Sequence, residues 1–209
     1  MKILDIIKSK LQNRINRINR SKLQNYSPSL VCSNCTGGFI YHWLGLRFHS
    51  PFINLYLTPS DFITALENWD VFINSDIKEI NIGSKYLVGQ IAIGGNKTCL
   101  IHFMHYKTFK EACDKWNERK KRMQTDPNKI GFMLTNYEED EQLLERFEKL
   151  PFKHKVAFVY KDYPQYKSSF CLKGFKSCIG TKNIYATQSI TGKRYIDQFD
   201  YVSFINELE

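Results

Sequence analysis

The 209-residue chain has no apolar run approaching the ~20 residues needed to span a bilayer. It also lacks the uninterrupted apolar core and small-residue cleavage site of a secretory signal, which predicts a cytoplasmic protein. Cysteine is sparse, six residues without dense repeating spacing, so reduced thiols are expected rather than a disulfide framework. Neither G-x-G-x-x-G nor G-x-x-x-x-G-K-[ST] occurs, and no D-x-D marks a metal-dependent sugar-nucleotide site. Asp162 and Asp197-Gln198-Phe199-Asp200 do not match that pattern. Cys32 and Cys35 form a C-x-x-C, but Cys171 and Cys178 do not supply a second one. The usual zinc pattern is therefore missing, and neither a metal nor a cofactor is expected. Beyond the N-terminal arm there is no basic stripe interleaved with aromatics, which argues against nucleic acid as a partner.

What the chain does have is a core. Hydrophobic residues make up 43% and aromatics 14%, enough for a packed domain. The net charge of +9 is unevenly placed: residues 1–28 hold seven Lys or Arg residues against Asp5, a balance of +6. Within that arm Ile3, Leu4, Ile7, Leu11, Ile15 and Ile18 recur at helical spacing with Lys and Arg between them. The pattern predicts a basic amphipathic helix over residues 1–28, preceding an α/β domain over 29–209. Its apolar stripe suits either the surface of the domain or an anionic membrane face contacted by residues 1–25.

Ser27-Pro28-Ser29 marks the entry to the domain. Strands are predicted at Leu30 to Cys32, Phe52 to Leu57, Glu79 to Ile82, Leu87 to Ile93, Thr98 to Phe103, Ile130 to Leu134, Lys155 to Val159 and Asn183 to Ala186. Helices are predicted at Gly37 to Leu46, after Thr58-Pro59-Ser60-Asp61, from Thr108 to Met123, from Glu138 to Leu150 and from Arg194 to Leu208. Glu138-Glu139-Asp140-Glu141 reads as an acidic first turn that complements the helix dipole. Lys161 to Gly180, with little periodicity, reads as a loop over the site. The expected architecture is a single domain with a mixed, mainly parallel sheet flanked by helices.

The candidate site is the stretch Leu30 to His42, where a strand meets two glycines and then a helix. In α/β folds such a junction lies at the carboxyl end of a strand, where ligands bind. Glycine admits close backbone approach, and a helix N-terminus attracts anions. Ser33 and Cys35 are the candidate nucleophiles, and His102 or His105, near the end of a predicted strand, the candidate general bases. Asn34, Thr36, Gly37 and Gly38, with His42 at the end of the stretch, are candidates for ligand binding. Trp116, Arg119 and Arg122 recur every third residue on a later helix and offer an indole for stacking and two planar forks for phosphate. Each feature also has a structural reading: a solvated helix face for the arginines, a core-facing thiol for Cys32, a hydrogen-bonded core or capping role for a histidine.

Ser33-Asn34-Cys35-Thr36-Gly37-Gly38, Ser50-Pro51-Phe52-Ile53-Asn54-Leu55, His105-Tyr106 and Trp116-x-x-Arg119-x-x-Arg122 together resemble a bacterial family labelled exopolysaccharide biosynthesis protein, found in capsule and O-antigen gene clusters. The likeness covers roughly residues 29 to 160. It implies work on a surface polysaccharide or its lipid-linked, sugar-containing precursor. The expectation is a glycosyl-, acyl- or phospho-transferase, with a non-catalytic carbohydrate- or partner-binding module as the rival.

Overall fold

The computed structural model describes residues 3–136, 140–175, 183–188 and 191–208, residues 3 and 4 by backbone alone. Cys178, the Glu138-Glu139 half of the acidic run and the end of the expected loop at Gly180 lie outside them.

The chain opens with α1 (Ile3–Lys22) and then enters β1 (Ser29–Cys32), which is buried at every position. α2 (Thr36–Leu44) follows at once and stops at Gly45, whose φ of 72° is the left-handed conformation that closes helices. β2 (Leu55–Tyr56) leads to α3 (Pro59–Glu67) and α4 (Trp69–Asn74). β3 (Lys78–Ile80), β4 (Leu87–Gly94) and β5 (Lys97–Phe103) form a meander, and α5 (Phe109–Lys120) begins at the Thr108 cap. β6 (Ile130–Thr135), α6 (Glu141–Glu148) and β7 (Lys155–Val159) make the expected βαβ unit. β8 (Ser169–Cys171) and α7 (Tyr201–Asn206) complete the order.

The strands form two sheets. One is wholly parallel, in the order β1-β6-β7-β8; the other is wholly antiparallel, in the order β2-β5-β4-β3. The parallel sheet is the central layer. Val31, Phe132, Leu134, Ala157 and Val159 point to one core, shared with the antiparallel sheet and α3 to α6. Leu30, Cys32, Met133, Val156 and Phe158 point to the other, shared with α2 and α7. This alternation is the two-residue period of a strand, and burial on both faces makes these strands continuously apolar.

β1 is an edge strand, and side chains complete it. The Leu30 N–H donates to the Tyr41 hydroxyl at 3.1 Å, and that hydroxyl donates to the Pro28 carbonyl at 2.6 Å. A bare strand edge invites foreign pairing, so a buried phenol here serves both structure and solubility.

Five expectations need correction. The single mixed sheet is two sheets, because β2 pairs with β5 through Leu55↔Phe103 and Tyr56↔His102 rather than joining β1. The Phe52 to Leu57 strand shrinks to two residues because Asn54 holds φ at 59°, which an extended strand cannot contain. The C-terminal helix is broken into a 3-10 turn, Tyr195–Gln198, and α7, which Asp200 caps afresh by accepting from the Ser203 N–H. The expected loop after Lys161 contains β8, a fourth parallel strand, and Asn183 to Ala186 is a turn rather than a strand.

Candidate functional site

The carboxyl end of the parallel sheet opens into a cleft of about 590 Å³. Ser33, Asn34 and Cys35, just beyond β1, form one wall, and Thr135 at the end of β6 the floor. Tyr56, Thr58, Pro59 and Ser60, the run from β2 into α3, form the second wall. Met104, just after β5, Asp140 and Leu143 from the start of α6, and Asn183 and Tyr185 from the C-terminal segment complete the rim. The residues that lead into α2, the first residues of α3 and the cap of α6 all reach this space.

Those three helix ends differ in charge. At α3, Asp61 lies in the first turn and Thr58 Oγ1 accepts from its N–H. At α6, the Asp140 carboxylate caps the N–H groups of Gln142 and Leu143. α2 has no acidic residue in its first turn. Its cap is a neutral amide: Asn34 Oδ1 accepts from the Thr36 N–H at 3.0 Å and from the Thr36 hydroxyl at 2.6 Å. Partial positive charge therefore stands uncompensated at α2, while Asp140 supplies negative charge across the cleft.

The candidate nucleophiles line this cleft, but among the described residues no general base is bonded to either. Ser33 is buried and its Oγ accepts from the Thr135 N–H at 3.0 Å, tying β1 to β6. Cys35 contacts the Leu55 carbonyl and the Met104 sulfur, each at 3.9 Å, and burial raises its thiol pKa. Cys32 faces the core beneath α2, and burial pushes its thiol up to about 12. Cys32, Cys35, Cys99 and Cys113 are free thiols.

His102 sits on β5 with its ring stacked on Tyr56, centroids 4.3 Å apart and planes 6° apart. Burial lowers its pKa, and among the described residues its Nδ1 has no hydrogen-bond partner. It therefore steadies a cleft residue from behind. His105 is exposed beyond β5, and His42 is exposed on α2; neither lines the cleft.

The glycines answer to packing. A Cβ on Gly37 would stand 2.8 Å from Cys32 Sγ, so only glycine lets α2 begin this close to β1. Gly38 has more room, with Ile53 at 3.7 Å.

The aromatic and arginine candidates on α5 are placed elsewhere. Trp116 is buried against Phe52 and Phe72. Arg119 is buried, donates to the Tyr106 hydroxyl at 2.6 Å and lies over the Phe48 ring; Tyr106 in turn donates to the Ile53 carbonyl. Arg122 Nε donates to the Phe48 carbonyl, and its Nη1 donates to the Glu118 carbonyl and carboxylate. All three brace the connection between α2 and β2, and none lines the cleft.

Sequence reasoning missed Tyr56, Asn136, Asp140 and Tyr185. Asn136 follows β6 directly and is 1% exposed. Its Nδ2 donates to the Asp140 carbonyl, but its Oδ1 is buried with no partner among the described residues. Thr58-Pro59-Ser60 was legible as a helix start, which hid its second role as a cleft wall.

The fold and cleft define an α/β protein with a ligand-sized site at the carboxyl edge of a parallel sheet, walled by a second, antiparallel sheet. The chain belongs to the family described as a domain of unknown function (DUF1919), which matches residues 6–206. It is similar to an uncharacterized protein of Haemophilus influenzae, 38% identical over 205 residues that cover 96% of each chain. Neither match carries an activity. No helix of the described residues is long and apolar enough to cross a membrane.

Proposed function

We propose that the protein is a transferase of bacterial surface polysaccharide assembly, acting in the cytoplasm on a sugar-containing precursor, and that the cleft holds the phosphate-bearing part of its donor. The single observation behind this reading is the uncompensated N-terminus of α2 at Asn34 and Cys35. Backbone N–H groups at such an end favour an anion. The surrounding chemistry suits a sugar: the hydroxyls of Thr58 and Ser60, the Asp140 carboxylate and the rings of Tyr56 and Tyr185 share one space. Hydroxyl-rich ligands need planar polar partners and a flat apolar surface, and this lining supplies both. A nucleotide sugar, an acyl thioester of a phosphorylated carrier and a phospho-alcohol all contain the phosphate that α2 would receive.

Among the described residues neither Ser33 nor Cys35 is bonded to a base, which favours a second reading, binding without turnover. One experiment addresses both. The chain is melted with nucleotide sugars, acyl-coenzyme A thioesters or nucleotide-activated alcohols, and the stabilising donor is then incubated with a saccharide acceptor. A ligand at a hundred times its Kd stabilises a protein by about 2.7 kcal/mol, several degrees in Tm for a chain of this size. A shift followed by donor consumption supports the transferase, and a shift without consumption supports the binding module. No shift from any donor overturns both.

A further inference from the structure

α1 packs on the domain with the wrong face for an ordinary surface helix. Its inward hydrogen bonds come from amides, beside half-buried Leu11 and Ile15. Gln12 Nε2 donates to Thr187, Asn19 Nδ2 donates to the Tyr201 hydroxyl, and Asn16 Oδ1 accepts from Arg194. Arg194 is 2% exposed, lies 3.5 Å over the Trp43 ring and is paired with Asp197. Gly192 lies against the helix so closely that a Cβ there would meet Leu11 Cβ at 2.9 Å. Arg20 Nε closes the attachment by donating to the Trp43 carbonyl.

With its amides turned inward, the helix leaves isoleucines outside. Ile7 is 47% exposed and Ile18 43%. Lys10 and Arg14 lie between them at helical spacing, so Ile7, Lys10, Arg14 and Ile18 share one outer face. Beside it runs a groove of about 370 Å³ lined by Lys10, Asn13, Arg14, Asn16, Arg17 and Arg20, with no carboxylate. Among the described residues Lys10, Arg14 and Arg17 make no ion pair.

We infer that the outer face of α1 docks on an anionic lipid bilayer, with phosphate headgroups in the Lys10–Arg14–Arg17 groove and Ile7 and Ile18 in the acyl boundary. Exposed isoleucines alternating with unpaired cations are the chemistry of an interfacial helix. A second copy fits poorly: a two-fold contact through this face would set its cations against the same cations. Nucleic acid would use the cations but leave the isoleucines unburied. The inference does not depend on what the cleft binds, although α2 serves both regions: its start lines the cleft and its Trp43 holds α1.

Deleting α1 would strip Asn16 from Arg194, so substitutions in the full chain are the better test. Co-sedimentation is measured with phosphatidylcholine vesicles and with vesicles of phosphatidylcholine and phosphatidylglycerol. Wild type should pellet only with the anionic vesicles, and less in high salt. K10Q/R14Q/R17Q should lower the partition coefficient about a hundredfold, since each cation near such a surface contributes roughly a fivefold factor. I7S/I18S should lower it at least about tenfold through lost insertion. Both variants should keep the wild-type Tm, because the substituted side chains are exposed. Wild type that stays in the supernatant, binds neutral vesicles equally well or prefers an oligonucleotide overturns the inference. So does a dimer in sedimentation velocity that I7S/I18S dissolves, or variants that fold and still bind like wild type.

Discussion

β1 is four residues long, and its two ends are chemically opposite. At the amino end the buried polar groups around Ser29 and Leu30 find partners within the chain, although His154 Nε2, just before β7, is buried with no partner among the described residues. Ser29 Oγ donates to the His49 carbonyl and accepts from the Gln124 N–H. Tyr41 serves Leu30 and Pro28, and Arg122 reaches the Phe48 carbonyl. At the carboxyl end Ser33 and Asn34 face 590 Å³ of open space, and the Asn136 Oδ1 nearby is buried with no partner among the described residues. Buried polar atoms are costly unless they are paired. The unpartnered Asn136 Oδ1 beside the open cleft therefore supports the proposed ligand site at the carboxyl end. Residue type alone does not separate the two ends, because hydroxyls serve both: Ser29 and Tyr41 at the amino end, Ser33 and Thr58 at the cleft.

The sharpest way to break this contrast is at the amino end. Tyr41→Phe keeps the ring but leaves the Leu30 N–H and Pro28 carbonyl buried without partners. A loss of about 2–4 kcal/mol is expected in urea unfolding. A loss below about 0.5 kcal/mol would show that water or a neighbour replaces the phenol, and that this end is not closed.

Gly37→Ala tests the boundary between the ends. Its methyl would strike Cys32 Sγ, so a cost of about 1–3 kcal/mol is expected. Adding Cys32→Ala should recover much of it by removing the sulfur. If the double variant is no more stable than the single one, Gly37 is required for its backbone rather than for this contact.

Acid titration gives a smaller effect. Burial lowers the pKa of His102, and burial together with Lys153 lowers that of His154. The unfolded chain takes up protons near the ordinary histidine value of about 6.5, before the folded chain does. Stability is therefore full above that value and is lost as pH falls through the depressed folded values. His102→Phe keeps the ring against Tyr56 and cannot charge, so its urea midpoint should fall less between pH 7 and pH 5. Parallel curves for variant and wild type would remove His102 from the acid sensitivity.

The smallest stability change is expected where the functional change is largest. Ser60→Trp places a bulky ring at an exposed position on the cleft wall. Unfolding should move by no more than about 0.5 kcal/mol, as for surface substitutions generally. The donor-induced rise in Tm should disappear. A retained rise would place the donor outside the cleft.

The same contrast explains what could be read from the sequence. The parallel core strands were legible because Ile130 to Leu134 and Lys155 to Val159 are almost unbroken apolar runs, as burial on two faces requires. The hairpin β4–β5 was legible through Gly94-Gly95-Asn96. The division into two sheets was not, because local pattern does not say which strand pairs with which. The clue was present: β4 alternates between buried and exposed positions where β6 does not. Ser33 to Cys35 was legible as a strand-end junction. Tyr56, Asn136 and Asp140 were not, since each joins the cleft from a different element. Arg119 and Arg122 were conspicuous by spacing, but their carbonyl and phenol partners lie 13 or more residues away in sequence.

Hydrogen exchange of the full chain, with and without the donor that stabilises it most, compares the two ends directly. Residues 33–38, 56–60 and 134–136 should gain protection, while residues 46–50 and 119–124 exchange as before. Protection confined to Phe48, Arg119 and Arg122, or none at any donor concentration, would contradict the assignment of the ligand site to the carboxyl end of β1.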